Sequence, residues 1–138
     1  MKIAIDIADA VAAELSGMSL EVHRRVLPDY ELAELKFTTA TVVPKSVQIA
    51  NVTRDATHYE VAIDIGIQRK IGKDTDAEVE SLSGVVSSIV AFLNRRPLGG
   101  LPNARFTTIA NEPVYAPEML SDNRLFLSVV TVTYTVME

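Results

Sequence analysis

The sequence predicts an α+β fold in which two helices pack on one face of a mostly antiparallel sheet of about five to six strands. Three stretches carry that prediction. From His58 to Lys70 the chain reads HYEVAIDIGIQRK, where Tyr59, Val61, Ile63, Ile65 and Ile67 alternate with polar residues, the period of a strand with one buried face. After Thr75, the residues Val79, Leu82, Val86, Ile89, Val90 and Leu93 recur at helical spacing. The chain closes on LFLSVVTVTYTV, a run dense in β-branched residues that favour strands.

Taken in order, the first element is a short amphipathic helix from Asp6 to Ser16, with Asp6 as its cap, Ile7, Val11 and Leu15 as its apolar stripe and Gly17 as its stop. A strand follows in LEVHRRV, where Leu20, Val22 and Val26 alternate with Glu21, His23 and Arg25, ending at Pro28 and Asp29. Glu31 to Lys36 suits a helical turn or the approach to the next strand, assigned to Phe37 through Val43. Pro44 lacks a ladder donor, so a bend or bulge is expected there, ahead of a short strand from Ser46 to Val52. A turn over Thr53 to Thr57 then makes a hairpin with His58–Lys70, which implies antiparallel pairing.

The second helix opens on a capping box, Thr75 with Glu78. Asp74 and Asp76 stand at its positive end, Arg95 and Arg96 at its negative end, and Pro97 halts it. PLGGLPN reads as an irregular loop. Phe106–Asn111 and Leu125–Val136 read as the last two strands, separated by the loop EPVYAPEMLSDN. No internal repeat, low-complexity tract or linker interrupts this order, so residues 1–138 are expected to form a single domain.

Composition narrows the function classes. A mean hydropathy of +0.19 is high for a small domain and fits a β-rich core or a face covered by a partner. No apolar run is long enough for a transmembrane helix, and Asp6 and Asp9 interrupt the N-terminal segment where a signal peptide would be apolar, so neither export nor anchoring is expected. The chain has no cysteine, which excludes disulfides and thiolate chemistry. Its net charge of −5 opposes tight binding to a phosphate backbone, because the basic clusters are small: His23-Arg24-Arg25, Arg69-Lys70 with Lys73, and Arg95-Arg96.

Motifs that would carry catalysis are missing. His58 and Glu60 share a strand face, yet no second histidine is near in sequence to complete a metal site. Glu60 and Asp64 are four residues apart, roughly 13 Å along a strand, too far for a general acid–base pair. The serines at 81, 83, 87 and 88 have no nucleophile context, and LGGLPN follows a helix instead of opening one, so it cannot cradle a phosphate. No cofactor and no metal ligand is expected.

Five segments together resemble the tail terminator proteins of long-tailed bacteriophages, the minor tail or tail completion proteins at the head-proximal end of the tube. They are IADAVAAEL, ELAELKFTTATVVPKS, HYEVAIDIGIQRK, DAEVESLSGVVSSIVAFL and FLSVVTVTYTV, and together they span most of the chain. The resemblance implies a compact α+β fold and a structural, non-catalytic virion protein assembled in the bacterial host cytoplasm. Such a protein forms a homo-oligomeric ring, typically a hexamer, that ends polymerisation of the tail tube protein and offers a surface to the head–tail connector protein. DNA passes through its bore without specific binding. His58, Glu60, Asp64 and Gln68 are then expected to line the bore or a subunit boundary. Docking is expected in the loop from Arg95 to Asn103 and the loop from Glu112 to Asn123, with Arg95, Arg96, Arg105, Tyr115 and Met119 as the candidate contacts. A head–tail joining or tail tube protein is the near alternative, and a small cytoplasmic enzyme the distant one.

Overall fold

In a computed structural model, residues 2–18, 20–26, 38–51 and 53–137 are described. The expectations for Pro28–Lys36, for the start of one strand at Phe37 and for the end of the next at Val52 lie outside them. The elements run α1 Lys2–Leu15, β1 Glu21–Arg24, β2 Thr39–Asn51, β3 Thr57–Lys70, α2 Thr75–Leu93, β4 Ala104–Asn111, α3 Pro117–Asn123 and β5 Leu125–Met137. The strands form one five-stranded sheet in the order β1-β2-β3-β5-β4. Only β1 runs parallel to its neighbour; every other pair is antiparallel.

α1 starts at Lys2, a turn ahead of the expected Asp6 cap. The cause is visible in its buried side, where Ala4 joins Ile7, Ala8, Val11 and Leu15, so the apolar stripe begins before Asp6 and carries the helix with it. β1 is shorter than the alternation suggested. Arg25 still donates its N–H to the Val42 carbonyl at 2.9 Å, but Val26 is 68% exposed and outside the strand.

The two strands expected on either side of Pro44 are one strand. The register against β3 slips between Pro44 and Ser46, so the extra residue is absorbed as a bulge and pairing resumes with Ser46 opposite Ala62. The hairpin expected between this segment and β3 is present. Its turn is closed by the Ala56 N–H on the Thr53 hydroxyl at 3.1 Å and by Thr57 on the Asn51 side chain at 3.3 Å.

α2 has the expected extent with a different cap. Asp74, not Thr75, is the N-cap, and its carboxylate accepts from the Ala77 N–H at 3.3 Å. Glu78 reaches back past it to the Gly72 N–H at 2.7 Å, which leaves the Thr75 hydroxyl for the Arg124 guanidinium at 3.1 Å. Among the described residues there are three helices where two were expected in the whole chain, because part of EPVYAPEMLSDN forms α3. Pro117 pre-sets its first turn, and Arg124 ends it in the left-handed region with φ of 49°. α3 buries no residue, so apolar periodicity could not announce it.

Cross-strand partners share a face, which assigns the two sides of the sheet. Val61, Ile63, Ile65 and Ile67 of β3 sit beside Val130, Val132, Tyr134 and Val136 of β5 and Ala40 and Val42 of β2, and this side forms one core with α1 and α2. α1 lies over β1, β2 and β3, while α2 and α3 lie against β5. The opposite face carries most of the polar alternates and no described helix, and its end at Thr39, Thr41, Gln68 and Leu127 is buried.

Candidate functional site

β3 brings all four sequence-predicted bore residues to that open face, since even positions of one strand share a side. Their surroundings differ. Asp64 lies between Val43 and Thr131, accepts the Thr131 hydroxyl at 2.6 Å and stands 3.9 Å from the Lys45 ammonium. Glu60 is opposite Gln48 and Thr135. His58 is opposite Ala50 and Met137 and buries its Nε2, which has no hydrogen-bond partner among the described residues. Gln68 is only 1% exposed and donates to the Thr41 hydroxyl at 3.1 Å, so its side chain belongs to the interior. Any outward-facing role falls to the other three.

The centre of the face is hydroxyl-rich, with Glu60 and Asp64 set among Ser46, Thr131, Thr133 and Thr135. Thr107, at the bulge of β4, adds its hydroxyl 2.6 Å from that of Thr135. These threonines were not singled out from sequence. Their signal was present in TVTYTV, where every second residue is a threonine, and only the register of β5 against β3 turned that alternation into one surface.

The first loop is fastened from within. Arg96 sets its Nε 2.9 Å from the Glu14 carboxylate and lies with its guanidinium 3.9 Å from the centre of the Phe92 ring. Glu14 also accepts the Gly99 N–H at 3.1 Å, and these two partners hold its carboxyl below the usual glutamate range. The Arg96 carbonyl accepts the Tyr134 hydroxyl at 2.9 Å, and burial pushes that phenol up to about 12. Leu98 is 2% exposed and plugs the loop into the core. Arg95 is exposed at φ of 61°, a conformation that costs a side-chain-bearing residue on the order of 1 kcal/mol.

Arg105 is exposed on the open face of β4 opposite Thr135. In the second loop Tyr115 is 42% exposed, while Met119 is half-buried on α3 with its sulfur 3.9 Å from the Asn123 amide. The candidate contacts therefore do not converge on one site. Arg105 shares a face with Glu60 and Asp64, Arg95 and Arg96 lie beyond the end of α2, and Tyr115 and Met119 flank the start of that helix.

Several small depressions mark the surface. One of about 400 Å³ between α2 and the segment after β4 is lined by Val86, Val90, Val114, Asn94 and Asn111 with two serines. Another of about 310 Å³ under α1 holds a single ionisable group, Asp6. Among the described residues no group of three or more histidine, aspartate or glutamate side chains is placed to hold a metal ion. Among them, too, no helix is long and apolar enough to cross a membrane.

No family model matches the chain, and no curated protein matches it. The chain is similar to a solved structure with 17% sequence identity and a TM-score of 0.52, over 99% of this chain and 95% of that one. At that identity the likeness establishes a shared α+β fold over essentially the whole length of both chains.

Proposed function

We propose that this chain is the ring-forming subunit that ends a bacteriophage tail tube and offers the finished end to the head. The observation that carries the reading is the open face of the sheet. Its centre is acidic and hydroxyl-bearing, with Lys45 beside Asp64, Arg105 on β4 and Lys70 at the end of β3. Such a surface suits a bore that passes DNA, because like charge keeps the duplex from adhering while hydroxyls keep the wall wet. The five sequence segments that resemble tail terminators supply the rest of the argument, since four of them fall on α1, β3, α2 and β5 of this fold. The two depressions described hold one ionisable side chain between them, which favours a structural role over a reaction that would call for convergent polar groups.

The test is reconstitution with the tail tube protein of the parent phage. Added during polymerisation, the chain is expected to shorten the tubes and to occupy one end of each. Tubes of unchanged length without the chain at their ends contradict the proposal. Binding to finished tubes with no effect on their length reassigns the chain to the joining step.

A further inference from the structure

The free half of β2 is the least protected part of the sheet. β1 pairs with the outer edge of β2 at Thr39–Val42, and the Arg25 N–H extends that contact only to the Val42 carbonyl. Beyond the bulge, no described strand lies on the outer side of Val47–Asn51. Those residues, VQIAN, contain no charge and no proline, whereas Pro44 and Lys45, the residues that usually blunt an edge, lie on the near side of the bulge. Ile49 is 54% exposed at the middle of this stretch, on the side of the sheet that bears the core. A row of backbone N–H and C=O groups with no strand partner among the described residues, beside an exposed isoleucine, is a template for one kind of partner, an extended strand.

We propose that this edge pairs with the same edge of a second copy, antiparallel, about a two-fold axis at Ile49. The strand is self-complementary in that register. Ile49 meets Ile49 on the core side, Gln48 meets Ala50 on the open side, and no like charges oppose each other. The alternative partner within the chain, the outer edge of β4, fits poorly. β4 runs on into Glu112–Ala116, which stays paired to β5 through the Glu112 and Ala116 N–H groups at 2.9 and 3.0 Å. An antiparallel β4 laid on β2 would drive that segment into β1. With Ile49 on the axis, the partner's Thr53–Ala56 turn falls beside the bulge. A two-fold contact does not close a ring by itself, so this is a separate association of free chains in solution, independent of the tube-ending role.

The chain has no cysteine, so single cysteines report the pairing cleanly. Cross-strand partners have Cβ atoms about 5 Å apart, within disulfide reach. Ile49→Cys is expected to give a covalent dimer on mild oxidation, while Thr108→Cys on β4 is not. Ile49→Lys is expected to weaken the wild-type dimer at least tenfold in sedimentation equilibrium with an unchanged circular dichroism spectrum. If either Ile49 variant fails to fold, Gln48→Cys mixed with Ala50→Cys tests the same axis, since these two residues face each other across it. A monomeric wild type at high concentration overturns the proposal, as does crosslinking through Thr108→Cys in place of the β2 positions.

Discussion

Arg96 shows how one side chain can set the shape of a loop. Its carboxylate partner Glu14, its aromatic platform Phe92 and its carbonyl's donor Tyr134 come from α1, α2 and β5, so three elements meet at one residue. Glu14→Gln should cost about 1 kcal/mol, a modest value because the Arg96 side chain is 39% exposed and solvent screens the pair. The sign of its pH dependence follows from the direction of the shift. The folded carboxyl is held below its unfolded range, so its contribution is complete above that range and fades as pH falls through it. Thermal melts should therefore separate wild type from Glu14→Gln at neutral pH and converge in acid. Tyr134→Phe should lose about 1 kcal/mol by stranding the Arg96 carbonyl, and in the wild type the Tyr134 phenolate should form only near pH 12, read by ultraviolet absorbance. Arg95→Gly should raise stability by up to about 1 kcal/mol, because glycine adopts a φ of 61° without the steric cost.

At the scale of elements, burial explains what the sequence revealed and what it hid. β3, α2 and β5 were legible because each buries a full stripe, and their apolar period survives in the residue order. The ends of α1 and the cap of α2 were misplaced by a few residues, since Asp6, Asp74 and Thr75 are all competent caps and only packing selects among them. α3 was hidden because it buries nothing, and its one local signal was Pro117 at the first turn. The open face was half legible. The alternation in β3 put His58, Glu60 and Asp64 together, but the burial of Gln68 and the threonines contributed by β5 depend on register, a long-range property. Two substitutions in α2 test the division between caps and core. Asp74→Ala should cost about 1 kcal/mol, and Ile89→Ala, at a fully buried position, about 3 kcal/mol, in chemical denaturation.

For the whole molecule, the fold places its regular surfaces and its irregular ones on different sides. The core side is covered by helices, the centre of the other side is polar, and the two candidate docking loops lie at the two ends of α2. That division suits a subunit that must touch several neighbours at once while keeping one wall clear. If the open face lines the bore, the double substitution Glu60→Lys, Asp64→Lys should leave assembly intact and reduce infectivity by slowing DNA passage. Equal plaque counts with the parent would assign that face to solvent. For the proposed tail-ending role, the most direct measurement is electron microscopy of particles made by the parent phage that the proposal implies, with this gene deleted. Overlong tubes detached from filled heads are the predicted result. Virions indistinguishable from the parent would contradict the account.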